Sequence, residues 1–150
     1  AFGDTHALDP DGQARGVHHH EHMGQALVRL ADQFGAPTSA SLIADVTAHI
    51  ARQMLRDGAD GFPFGVYHLA AAGETSWHAY AQYVIGEAIG IGKALKATPE
   101  RVLPIPASSY PTPARRPQNS RLDTHKLRQT FGLHLPHWQE GVKHILQQIL

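Results

Sequence analysis

The sequence predicts a mixed α+β chain of the α/β class, with about four helices and two or three short strands. Three observations carry this. Apolar residues recur at helical spacing in separate segments, the strand-forming stretches are short and broken by Gly or Pro, and Ser, Thr, Asp or Pro stands before each periodic run. There are too few β-α-β alternations for a nucleotide-binding sheet of its own. At 150 residues the chain amounts to one domain, able to bury ~68–70% of its unfolded surface.

Residues 1–22, "AFGDTHALDPDGQARGVHHHEH", are rich in Gly, Asp and His without a sustained period, which predicts a flexible tail ahead of a folded part spanning 23–150. "MGQALVRLADQFGAPT" is a short apolar stretch closed by a turn at Gly35 to Pro37. Thr38 or Ser39 then caps a helix with Leu42, Ile43, Val46, Ile50 and Met54 on one face, Arg52 and Arg56 near its carboxyl end and Gly58 beyond it. "FGVYHLAA", Phe64 to Ala71, predicts a strand. Thr75 or Ser76 caps a second helix whose stripe is Trp77, Tyr80, Ala81, Val84, Ile85 and Ala88, with "GIGK" at its end. "RVLPIPASSYP" is a short extended element that its prolines confine to an edge. Asp123 caps "THKLRQTF", which Gly132 closes, and Pro136 opens the last helix, with Trp138, Val142, Ile145, Leu146 and Ile149 sharing a face. Both tryptophans are expected in the core.

Lys+Arg and Asp+Glu balance at 13 each, which excludes the bulk positive charge of a nucleic-acid or acidic-membrane binder. The absence of cysteine excludes disulfides, thiolate metal sites and cysteine nucleophiles. No apolar run approaches the ~18–20 residues of a membrane span, and no signal-peptide pattern opens the sequence. A cytoplasmic protein with neither membrane nor nucleic-acid partners is expected.

Four of the twelve histidines fall in "HHHEH" (His18 to His22), which could chelate a divalent ion but lacks the His-Glu-x-x-His spacing, and no metal site is assigned to it. No G-x-S-x-G, P-loop or G-x-G-x-x-G follows a strand. None of Tyr67, Tyr80, Tyr83 and Tyr110 is followed four residues later by lysine. No catalytic residue is assigned. "YPTPARRPQNSRLDT", Tyr110 to Thr124, remains: three prolines and three arginines in fifteen residues. Proline stiffens such a segment, and guanidinium forks suit carboxylate or phosphate, so the loop is expected to present arginines to an anion.

Four segments in this order, "DQFGAPTSASLIADVTAHI", "GVYHLAAAGETSWHAYAQ", "YPTPARRPQNSRLDTHKLRQTFGL" and "LPHWQEGVKHILQQIL", resemble the carboxyl-terminal part of dTDP-4-dehydrorhamnose reductases, of the extended short-chain dehydrogenase/reductase superfamily. The resemblance runs from about Met23 to Leu150. It implies NADPH- or NADH-dependent reduction of the 4-keto group of dTDP-4-dehydro-L-rhamnose to dTDP-L-rhamnose. It also implies an amino-terminal Rossmann domain carrying the dinucleotide and a Tyr-x-x-x-Lys pair, with a carboxyl-terminal part covering the nucleotide-sugar.

This sequence departs from that pattern: it has neither the glycine fingerprint nor the Tyr-x-x-x-Lys pair. The expectation is therefore a substrate-binding fragment of that lineage, binding no cofactor and inactive alone. One strand expected between "ALVRLA" and "DQFGAPT" is read as deleted or fused, one element serving for two. Some family members dimerise around magnesium held by glutamates, but two of those positions align with Ser41 and Gln148, so the metal is not carried over. Through the resemblance, Gln33, Thr38, Arg116, Asn119 and Arg121 are the expected contacts to a dTDP-sugar, with Arg115 a weaker candidate. The alternative is a non-catalytic nucleotide-sugar-binding or protein-interaction module, associating with itself through the face a Rossmann domain would cover.

Overall fold

The structure, a computed structural model, describes residues 27–109 and 116–150. The expected tail, the His18 to His22 cluster and the Tyr110 to Arg115 part of the basic loop lie outside the described residues.

As the sequence predicts, the described residues form four helices and a few short strands. The strands are β1 (Leu27–Leu30), β2 (Phe34–Gly35), β3 (Thr75–Ser76) and β4 (Val102–Ile105). The helices are α1 (Ala40–Asp57), α2 (Trp77–Gly90), α3 (His125–Phe131) and α4 (Trp138–Ile149). Strands β1 and β4 pair in parallel, Leu27 opposite Val102 and Leu30 opposite Ile105. Strands β2 and β3 pair antiparallel, with Phe34 opposite Ser76.

Local chemistry sets the helix ends. Ser39 Oγ accepts from the Leu42 N–H at 3.1 Å and Ser76 Oγ from the Ala79 N–H at 3.2 Å, each satisfying an amide that a first turn leaves without a helical partner. Asp123 caps α3 from one residue further out than expected: Thr124 holds the cap position, and Asp123 Oδ1 accepts from the His125 N–H at 2.8 Å. Helix α3 stops at Gly132, whose φ of 64° is left-handed and whose N–H returns to the Arg128 carbonyl.

Two cores hold the elements together. Val46, Leu127, Phe131 and Leu135 join α1 to α3, with Tyr67 edge-on to Phe131 at 5.1 Å. Ala71, Trp138, Val142 and Leu146 join α4 to α2 through Tyr80, Tyr83 and Val84. Leu42 packs against both. Helix α2 is also tied to the β1–β4 pair, since His78 Nε2 lies 2.9 Å from the Val102 carbonyl and Gln82 donates to the Pro99 carbonyl.

Three sequence expectations are corrected. Phe64 to Ala71 is not a strand. It runs between helices where no strand lies alongside, so its partners are scattered: Ala71 N–H donates to Thr38 Oγ1, and beyond it Ala72 exchanges bonds with Pro136 and Trp138. Helix α4 begins at Trp138 rather than Pro136; His137 is its cap residue, and its N–H is held by Glu140 Oε1 at 3.1 Å. Ile43 and Ile149 are exposed, because each stands to one side of the stripe that packs.

Candidate functional site

The site is organised around Phe34. On one side its strand pairs with β3. On the other, its N–H donates to the Gln118 carbonyl at 2.8 Å, and its carbonyl accepts from the Ser120 N–H at 2.9 Å and from Ser120 Oγ at 3.0 Å. Residues 116–120 are thus strapped onto β2 by backbone bonds, which do not depend on side-chain identity. The strap can lie this close because Gly35 has no Cβ: one built there would meet Ser120 Oγ at 2.8 Å.

Between the strap, the 33–38 segment and the start of α2 lies a cavity of about 460 Å³, a volume within the usual range for small-molecule sites. Its walls bring together Gln33 and Thr38, then Trp77 and Tyr80, then Arg116 and Ser120. The described lining carries one cation, Arg116, and no carboxylate. Among the described residues Arg116 forms no ion pair. A guanidinium with no acidic neighbour, at an otherwise neutral cavity, makes the site attractive to anions.

Three of the five residues expected to contact a ligand therefore line this cavity: Gln33, Thr38 and Arg116. Their states differ. Gln33 is buried at 9% exposure, whereas Arg116 is exposed. Thr38 is committed structurally, because its hydroxyl donates to the Ala36 carbonyl at 2.9 Å and accepts from the Ala71 N–H at 3.0 Å. It shapes the wall rather than offering a free donor.

Asn119 and Arg121 stand outside this lining. Asn119 Oδ1 accepts from both the N–H and the Nε–H of Arg121, at 3.0 and 2.9 Å. Arg121 also pairs with the Glu74 carboxylate and lines a neighbouring recess. These two residues brace the end of the strap against the loop that precedes β3.

Trp77 corrects the sequence reading. It was expected in the core, and it is 53% exposed at the cavity wall, edge-on to Tyr80 with ring centres 6.1 Å apart. Trp138, the other tryptophan, is buried as expected. Helix α2 is apolar on most sides, with His78, Gln82 and Glu87 as its polar interruptions, so periodicity does not say which apolar residue faces the core. Phe34, Tyr80 and Ser120 are further lining residues that the sequence reading did not single out.

Among the described residues no group of three or more His, Cys, Asp or Glu side chains could hold a metal. Ser41 Oγ lies 3.0 Å from Ser39 Oγ, and Gln148 Nε2 lies 3.1 Å from His144 Nε2. Neither described strand-to-helix junction, Gly35 to Ala40 or Ser76 to Trp77, carries the glycine-rich turn that seats a dinucleotide pyrophosphate. The described residues therefore do not fit a nicotinamide dinucleotide.

The profile of the RmlD substrate binding domain matches residues 14–150. The chain belongs to that family. Among curated relatives, the dTDP-4-dehydrorhamnose reductase of Burkholderia thailandensis is 44% identical over 122 residues, covering 81% of this chain and 41% of the relative. That of Escherichia coli K12 is 46% identical over 125 residues, covering 83% of this chain and 40% of the relative. The chain thus spans about two fifths of the length of the curated relatives it matches. The fold agrees. The Clostridium acetobutylicum dTDP-4-dehydrorhamnose reductase superposes with a TM-score of 0.63 at 27% identity, over 82% of this chain and 38% of that one. The Bacillus anthracis enzyme, solved in complex with NADP, superposes with a TM-score of 0.60 at 24% identity, over 83% of this chain and 38% of that one.

Proposed function

We propose that this chain is the sugar-nucleotide-binding portion of a dTDP-4-dehydrorhamnose reductase and that the cavity beside Phe34 takes the dTDP-sugar. Arg116 faces the diphosphate, Gln33 offers its amide from the buried wall, and Trp77 and Tyr80 offer ring surface to the base or sugar. Asn119 and Arg121 act by holding the strap that carries Arg116. One observation supports this most: among the described residues, three segments distant in sequence bring a guanidinium without an ion pair, a buried amide and an exposed tryptophan to one cavity lined by no carboxylate. Reduction of the 4-keto group needs a hydride from NADPH or NADH and a proton on the oxygen. In this reading both come from a part of the reductase that these residues do not supply, and the isolated chain does not turn over the keto-sugar.

A part-formed pocket binds weakly, since few contacts offset the ordering cost, so dTDP affinity is expected at roughly millimolar. Titration of the chain with dTDP, followed by amide and indole chemical shifts, tests the reading. Saturable shifts at Gln33, Trp77 and Ser120 that Arg116→Ala weakens about tenfold support it; an unperturbed spectrum at several millimolar ligand overturns it. No described helix is long and apolar enough to cross a membrane, and a cytoplasmic location goes with this reading.

A second reading is self-association through the outer face of the β1–β4 pair. Val28 and Leu103 are register partners there, 44% and 47% exposed, whereas parallel strands are normally covered on both faces. Light scattering that gives a dimer mass, lost in Val28→Lys, supports it; a monomer mass at high concentration opposes it.

A further inference from the structure

We propose that a second recess, next to the cavity described above, binds a small phosphate-bearing metabolite through Arg121, Arg128, Thr124 and His134. This site is separate from the dTDP-sugar cavity, and the proposal does not depend on that assignment.

The recess has a volume of about 290 Å³ and shares a single lining residue, Ala36, with the first cavity. At the low end of ligand-site volumes, it suits a phosphate or a short phosphate ester better than a nucleotide-sugar. Two guanidinium groups lie in its wall. Like charges held at one recess repel unless an anion lies between them, and the described acids do little to relieve this. Glu74 pairs with Arg121, but both side chains are about half exposed, so solvent screens the pair. Asp123 directs Oδ1 to the His125 amide. Among the described residues Arg128 has no ion pair, which leaves its five-donor fork for a ligand.

One guanidinium is held in place before any ligand arrives, and the second stands on an anchored backbone. Asn119 Oδ1 takes both the amide and the Nε–H of Arg121, which fixes the plane of that guanidinium. Arg128 stands on α3 directly after Leu127, which is 2% exposed in the core, and its carbonyl receives the N–H groups of Gly132 and Leu133. Thr124 occupies the cap position of α3 without using its side chain to cap it, and His134 adds an imidazole N–H on the far wall. Leu135 is buried behind and Leu122 is 50% exposed at the rim, which gives the carbon portion of an ester an apolar surface. One guanidinium held in its plane and a second left open, with hydroxyl and imidazole donors in the same recess, are the chemistry that recognises phosphate oxygens.

The test is a chemical-shift titration of the full 150-residue chain with inorganic phosphate and, separately, glycerol 3-phosphate, at constant ionic strength set with chloride. Saturable shifts are expected at Thr124, His134 and the Arg128 side chain, with glycerol 3-phosphate also moving Leu122. Arg128→Ala should weaken binding about tenfold, the usual loss for a charged hydrogen-bonding group, and Arg128→Lys should fall between it and the parent. If Arg128→Ala does not keep the parent's Leu127 and Phe131 signals, Arg128→Lys and Glu74→Gln carry the test, the latter by tightening binding severalfold as it removes the competing carboxylate. Arg116→Ala should weaken the dTDP response about tenfold while leaving phosphate binding here intact, so failure of one assignment is distinguishable from failure of the other. Shifts that never saturate and equally affect exposed Arg52 and Arg56 overturn the proposal, as does phosphate binding that moves only Trp77 and Arg116. Unchanged affinity in folded Arg128→Ala overturns it too.

Discussion

Ser120 and Gly35 meet at a contact that admits no larger side chain. The Ser120 hydroxyl lies 2.8 Å from where a Cβ on Gly35 would sit, while it donates to the Phe34 carbonyl at 3.0 Å. Gly35→Ala must turn that hydroxyl away and lose its bond, about 0.5–1.5 kcal/mol, and the strap carrying Arg116 shifts with it. Weaker dTDP binding is expected in Gly35→Ala and recovery in the double variant with Ser120→Gly, a coupling that a double-mutant cycle measures. Equal dTDP affinity in parent and Gly35→Ala would show that the contact does not position the strap.

Trp77 is exposed at the cavity and Trp138 is buried in the α2–α4 core, so the two fluorophores report on different places. Addition of dTDP should change the emission of the parent and of Trp138→Phe, and leave Trp77→Phe silent. A response that survives in Trp77→Phe places the ligand elsewhere.

Leu127 is 2% exposed among Val46, Phe131 and Leu135. Leu127→Ala removes buried carbon and leaves a cavity, at a cost of about 2–5 kcal/mol. Urea denaturation should show the midpoint falling accordingly, while Leu55→Ala, at a position 79% exposed, changes stability by less than about 0.5 kcal/mol.

Burial first, and then the hydrogen bond and charge of Glu87, hold the Tyr83 phenol above its ordinary value. The sign follows from linkage: both folded and unfolded chains keep the proton below that ordinary value, so the contribution of Tyr83 is complete there. It is lost as pH rises through the folded value, in the range above about pH 10. Thermal melts from ~pH 8 to ~pH 11 should therefore show a shallower alkaline decline for Tyr83→Phe than for the parent; parallel declines would rule this out.

The parts of the fold that follow from local chemistry are legible in the sequence. Ser39, Ser76 and Gly132 announce helix ends because caps act within one turn. Val142 and Leu146 announce a packed face because α4 alternates cleanly between apolar and polar sides. What depends on a distant partner is not legible. Tyr67 and Leu69 have strand-forming side chains, yet they serve as core residues on α3, because the ladder a strand needs must come from elsewhere. The site follows the same division. Resemblance brings Gln33, Thr38 and Arg116 forward together, but nothing near Arg121 in sequence reveals that Glu74, 47 residues away, pairs with its guanidinium.

The parallel pairing of β1 with β4 sets a temporal order on assembly. Leu27 cannot find Val102 until the intervening chain, with α1 and α2, has left the ribosome, so β1 waits for its β4 partner while later segments emerge. Helix pairing within the α2–α4 and α1–α3 cores waits on the carboxyl-terminal helices as well. Nascent chains halted before α4 should therefore leave β1, α1 and α2 open to protease, and protection of these elements should arrive in one late step.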